Sequence, residues 1–122
     1  MDETQMIGDA SAAADAWLEK IDAGDVEGTW ESAASLFKQL VNLDAWRAAH
    51  GQATTVFGRP LSRELSSTDY RTSIPGAPDG QYVVLEYAAE FERKKEAVET
   101  VVAGLDTDGA WRVGGYFIEG WS

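Results

Sequence analysis

The chain is expected to fold as an α+β domain, with about three N-terminal helices packed on a curved antiparallel sheet of about four strands. Two observations predict this. Apolar residues recur at three- and four-residue spacing through the first half, and they alternate with polar residues in residues 81–91, 95–105 and 110–118. Turn-forming residues separate the alternating segments, so consecutive strands pair as hairpins.

Ala10, Ala13, Ala14, Trp17, Leu18 and Ile21 share one helical face, which places a helix start near Asp9 or Ser11. Residues 1–12 are then expected to be a flexible N-terminal segment and residues 13–122 a single α+β domain. Gly24 suits the left-handed conformation that follows a helix terminus, and Asp25 suits the N-cap of a second helix. The stripe continues through Val26, Trp30, Ala33, Ala34 and Phe37, then Leu40, Val41, Leu43, Trp46 and Ala49. Residues 25–50 are read as two helices joined near residues 36–40 and stopped by Gly51. Trp17, Trp30 and Trp46 fall on the stripe as core residues.

Residues 57–72 read as an exposed strand whose first half is the better buried, with Leu61, Arg63, Leu65, Ser67, Asp69 and Arg71 on one face. Residues 74–80, with two prolines and two glycines, form a rigid loop. Val83, Leu85, Tyr87, Ala89 and Phe91 make an unbroken apolar face that should point to the core. Arg93, Lys94 and Lys95 mark a hairpin tip, after which Ala97, Glu99, Val101, Ala103 and Leu105 share a face. Asp108-Gly109 is a strong hairpin signal. In the last strand Trp111, Val113, Gly115 and Phe117 alternate with Arg112, Gly114, Tyr116 and Ile118, and Gly114-Gly115 reads as a bulge or bend that curves the sheet.

The 44% hydrophobic content and five tryptophans suit a chain that buries a core. A net charge of −11, from 21 acidic and 10 basic side chains, makes nucleic acid a poor partner. The chain has no cysteine, so disulfides, thiolate nucleophiles and Cys-ligated metals are excluded while the compartment stays open. The acidic start lacks the basic and apolar regions of a signal peptide, and no membrane span is expected.

The order of helices and strands resembles the cone-shaped fold of the nuclear transport factor and ketosteroid isomerase superfamily, and equally a cystatin-like arrangement. A closer resemblance lies in Ala16-Trp17-Leu18, Ile21-Asp22-Ala23-Gly24, Thr29-Trp30, residues 58–63, Glu99-Thr100-Val101, the Pro75-Gly76-Ala77-Pro78-Asp79-Gly80 loop and the run from Asp108-Gly109-Ala110-Trp111-Arg112-Val113 to Ile118. Over residues 13–118 these are similar to a bacterial domain-of-unknown-function family, the member of its series numbered 4019, whose proteins are small and usually exported. The resemblance implies a periplasmic or secreted location, with the cytoplasm left open, and brings no catalytic residues with it.

His50, the single histidine, suits proton transfer near neutral pH, but beside Gly51 it also suits the negative end of a helix dipole; the structural reading is preferred. No metal-ligand pattern and no phosphate cradle are present, Asp106-Thr107-Asp108-Gly109 reads as a turn and not a calcium loop, and no cofactor is expected. Arg63, Tyr87, Glu99, Trp111 and Tyr116 would approach one another across hairpin-paired strands. There they are either an isomerase-like site or a cross-strand ion pair among core tyrosines, the second reading being preferred.

With Trp46 and His50, these five are the candidate pocket-lining residues, and no residue is named catalytic. Trp121 is expected to be exposed or to pack on a partner chain. The expected function is a non-enzymatic ligand-binding or protein-interaction module. It would be a homodimer through its sheet, with a small apolar ligand or a protein as partner. The alternative is a small isomerase- or dehydratase-like enzyme with His50, Glu99 or Asp44 as base and Tyr87 or Tyr116 as donor.

Overall fold

A computed structural model of the chain describes residues 2–119. Four helices, α1 (Glu3–Asp22), α2 (Val26–Glu31), α3 (Ser35–Leu40) and α4 (Leu43–Phe57), precede four strands, β1 (Pro60–Arg71), β2 (Tyr82–Phe91), β3 (Lys94–Leu105) and β4 (Trp111–Glu119). The strands form one antiparallel sheet in the order β1-β2-β3-β4. This is the expected α+β class, with the helices N-terminal to the sheet. Trp121 lies outside the described residues.

The first helix begins at Glu3, ahead of the start expected near Asp9 or Ser11. Asp2 caps it by accepting from the Gln5 amide at 2.7 Å, and Met6 extends the apolar stripe one turn before Ala10, both buried. The segment read as a flexible lead, residues 1–12, is therefore helical from Glu3 onward. At the other end Gly24 has φ 75°. The Asp25 amide donates to Lys20 and the Gly24 amide to Ile21, the paired bonds that satisfy orphan carbonyls after a left-handed residue. Asp25 caps α2 as expected, accepting from the Gly28 amide at 3.0 Å.

Residues 26–57 divide into three helices where two had been expected. Ala34 is extended and donates its amide to the Val113 carbonyl at 2.8 Å, tying the helical layer to β4. Asn42 then caps α4 through the Ala45 amide at 2.8 Å. The helix passes through Gly51, the glycine read as its stop, and ends at Gly58, where φ is 76°. A mid-helix glycine costs about 1 kcal/mol. Continuing the helix seats Phe57, 2% exposed, against Phe91 with ring centroids 5.6 Å apart, and such burial contributes about 1.5–3 kcal/mol.

Helix α1 packs across all four strands, pressing Ala10, Ala14, Trp17 and Leu18 onto Val83, Leu85, Val101, Ala103 and Val113. Trp17 and Trp46 are buried core residues that meet at one threonine, while Trp30, partly buried, donates to the Val41 carbonyl at 2.8 Å. Thr29, fully buried, accepts the Trp17 indole N–H on its carbonyl at 3.0 Å and that of Trp46 on its hydroxyl at 2.9 Å. Its own hydroxyl donates to the Val26 carbonyl. Helix α4 packs on α2 and meets the sheet through the Phe57–Phe91 contact, so one end of the sheet is left incompletely covered.

Of the four register shifts in the ladders, two reset the faces that strict alternation assigns to the later halves of β1 and β4. Ser66 is extra in β1, where Leu65 faces Tyr87 and Ser67 faces Glu86. Tyr70, opposite the buried Val83, therefore turns inward and Asp69 outward. The first half of β1 is also less covered than expected, with Leu61 and Leu65 exposed. Gly114 is extra in β4, where Val102 faces Gly115 and Ala103 faces Val113, as the double glycine had indicated. Beyond it Tyr116 and Ile118 point inward and Phe117, grouped with Val113 by alternation, is 57% exposed. The Asp108-Gly109 hairpin closes through the Asp106 amide on the Ala110 carbonyl, with positive φ at Gly109 alone, a type I turn with a glycine bulge.

Gly58 combines positive φ with crowding, since an added Cβ would lie 2.8 Å from the Glu92 Cβ, whereas Gly109 has open space. Gly58→Ala is expected to cost about 2–4 kcal/mol and Gly109→Ala about 1 kcal/mol in denaturant unfolding. Equal losses would show that the contact with Glu92 relaxes freely.

Candidate functional site

The inner face of β3 carries one ionisable residue. Glu99 is completely buried between Ala97 and Val101 along the strand, opposite Tyr87 on β2 and Ile118 on β4. An unpaired carboxylate is not tolerated there, because the desolvation penalty amounts to several kcal/mol. Arg63 answers it from β1, donating from Nε at 2.6 Å and from Nη2 at 3.0 Å to the two carboxylate oxygens. Its neighbour across the β1–β2 ladder is Ala89, small enough for the guanidinium to pass. The third guanidinium nitrogen donates to Asp22 at the end of α1 at 2.7 Å.

Tyr116 completes the group, its hydroxyl donating to Glu99 Oε2. Only the bulge at Gly114 makes this contact available. The Tyr116 ring also lies 5.2 Å from Trp17, which joins the polar cluster to the aromatic core. Tyr87 stands beside Glu99 but donates elsewhere, to Asp15 at 3.3 Å.

The electrostatics follow from burial and these partners. Burial and then the Glu99 charge push Tyr116 far above the ordinary tyrosine range, so it keeps its proton and acts as donor. Burial and the nearby Asp15 raise Tyr87 in the same way. Burial works to lower Arg63, but its bonds to Glu99 and Asp22 outweigh it and hold the guanidinium above its usual value. Burial lowers His50, leaving a neutral imidazole at neutral pH.

At the uncovered end of the sheet lies a cleft of about 280 Å³ between the C-terminal ends of α1 and α4 and the strands. Ile21, Ala53, Phe57, Phe91 and Ile118 supply apolar walls, while Asp22, His50, Thr54, Arg59 and Tyr116 add polar groups. A second depression of about 330 Å³ adjoins it, sharing His50, Ala53, Phe57, Tyr116 and Ile118 and reaching Trp46. Arg63 and Glu99 are not among the lining residues of either, so the ion pair lies behind a wall to which Tyr116 and Asp22 belong.

Of the seven residues singled out in the sequence, Arg63, Glu99 and Tyr116 bond to one another and Tyr87 adjoins them. His50 lines the cleft and Trp46 only the adjoining depression, their rings 6.4 Å apart. Trp111 sits toward the other end of β4, opposite Leu105, with a buried indole N–H that has no hydrogen-bond partner among the described residues. Asp44 is exposed in the first turn of α4, outside both depressions.

Asp22, Asp15 and Arg59 were not among the expected residues. The two aspartates are seven apart and flank the apolar stripe of α1 on one side, which is the signal that would have found them. Among the described residues no group of three or more histidines and carboxylates could hold a metal ion, and no helix is long and apolar enough to cross a membrane.

A family model described as a protein of unknown function (DUF4019) matches residues 13–116. No curated protein and no solved structure matches the chain.

Glu99→Gln keeps the shape but leaves Arg63 facing a neutral amide, and is expected to cost about 2–4 kcal/mol in denaturant unfolding. The double change Arg63→Met with Glu99→Leu should cost less than either single change. A loss under about 0.5 kcal/mol for Glu99→Gln would mean the pair behaves as a solvated one.

Because folded His50 lies below its ordinary value of 6.5, only the unfolded chain takes up its proton as pH first falls through that value. Stability present above about pH 6.5 should therefore decline toward pH 5.5. His50→Gln should flatten this part of the melting-temperature profile. An unchanged slope in the variant would assign the decline to other groups.

Proposed function

The chain belongs to the DUF4019 family, and we propose that it is a non-enzymatic binding module whose cleft takes a small, largely apolar ligand. The observation that carries this is the contrast between the cleft and the charged cluster behind it. Both oxygens of Glu99 are engaged by Arg63 and Tyr116 and the fully buried carboxylate is not among the residues lining the cleft, so it is not presented to a substrate proton. The cleft has apolar walls and opens to solvent, the form that binding sites for small molecules take.

One observation favours the isomerase-like alternative. Neutral His50 and the protonated Tyr116 hydroxyl belong to the same cleft, which is the pairing of base and donor that such chemistry uses. The Tyr116 proton is committed to Glu99, however, and Asp44 is absent from the cleft, so the binding reading is preferred. Pairing of two copies through the outer sheet face belongs to the same reading and is supported by exposed Val98 and Phe117 there. So does export from the cell, on the family resemblance.

A thermal-shift screen of small apolar and amphipathic metabolites tests the proposal, since a ligand of the native state raises the melting temperature. Hits should raise it in the native chain and not in Ala53→Trp, which fills the cleft, and sedimentation in the same buffers reports the dimer. Hits unaffected by Ala53→Trp would place binding elsewhere. Turnover of a ketosteroid- or hydroxyacyl-type substrate that His50→Gln abolishes would favour the enzyme.

A further inference from the structure

Arg59 stands at the rim of the cleft, and it differs from every other arginine of the described residues. Arg47 pairs with Glu27, Arg63 with Glu99 and Asp22, Arg71 with Asp69, and Arg112 with Asp106 and Asp108. Arg93 donates to the Thr54 and Thr55 carbonyls. Among the described residues the Arg59 guanidinium has no ion pair and no hydrogen bond. In a chain of net charge −11, carboxylate partners are abundant, so a guanidinium left open beside an apolar cleft is a specific arrangement.

Asp22 is held by Arg63 at 2.7 Å, and Glu92, whose Oε1 accepts the Arg59 backbone amide at 2.7 Å, keeps its charge but is not among the residues lining the cleft. His50 is neutral and Tyr116 gives its proton to Glu99. What remains for a ligand is one planar cation above walls made by Ile21, Ala53, Phe57, Phe91 and Ile118.

From this we infer that the ligand of the proposed cleft is an amphipathic monocarboxylate, its head paired with Arg59 and its apolar body seated against Phe57 and Phe91. The inference rests on the binding reading above and names its ligand class. A guanidinium fork matches a carboxylate with two parallel hydrogen bonds, and the negative field of the chain disfavours a more highly charged head. The cleft volume of about 280 Å³ equals the space of about nine waters at roughly 30 Å³ each, which suits a body of about eight carbons.

Octanoate, octan-1-ol and octylamine, titrated by calorimetry and thermal shift, separate head from body. Octanoate should bind the native chain roughly three- to tenfold more tightly than octan-1-ol, and octylamine most weakly. Arg59→Gln, at an exposed position, should bring acid and alcohol to parity while retaining alcohol binding, and Ala53→Trp should remove all three. Parity in the native chain, preference for the amine, or an acid preference that survives Arg59→Gln overturns the carboxylate inference and leaves the cleft standing. Absence of binding by all three overturns the cleft as well.

Discussion

A carboxylate with no access to water sits at the middle of this sheet, and much of the structure is arranged around keeping it paired. Glu99 occupies an inward position of β3 that alternation would give to an aliphatic residue. Arg63 must then face inward from the edge strand β1, with Ala89 small beneath it, and Tyr116 must face inward from β4. Asp22 takes the remaining guanidinium nitrogen, which fixes the end of α1 over the same cluster. Each partner comes from a different element, so the cluster forms only when helix and sheet are assembled, and a half-formed version would be worse than none.

The bulge at Gly114 and the left-handed residue at Gly58 convert that requirement into shape. Without the extra residue in β4, Phe117 would point inward and Tyr116 outward, and the carboxylate would lose its hydroxyl donor. Gly58 ends α4 where Phe57 has just reached Phe91, so the helix is anchored at that contact and leaves a cleft between itself and the strands. The cleft is thus a product of where packing stops, and the wall that separates it from the ion pair contains the side chain the bulge turned inward. Charged cluster and apolar cleft meet only at Asp22 and Tyr116, which belong to both.

Much of this was legible in the sequence. The buried faces of β2 and β3, the capping roles of Asp25 and Gly24, the tryptophan stripe and the Arg63–Glu99 pairing all follow from residue type and spacing, because helical and strand periods are local properties of the chain. Family membership was legible too, through the loop around Pro75 and the run from Asp108. Asp22 and Arg59 were not legible as site residues, since one sits in a helix-ending segment and the other before a proline, and nothing local marks either as facing a cleft.

By itself, then, the sequence determined the α+β class, the order of elements, most of the inward faces and the presence of a charged pair among apolar neighbours. The tertiary structure alone decided which glycine stops α4, where the ladders slip, that Tyr116 displaces Phe117 from the interior, and that Asp22 and Arg59 border a cleft. The physical reason is the same in each case. A helix continued through glycine costs about 1 kcal/mol locally, less than exposing Phe57, and a bulge gives up only local ladder pairing, less than desolvating an unpaired carboxylate. Those greater penalties are set by residues far apart in the chain, which meet only in the folded state.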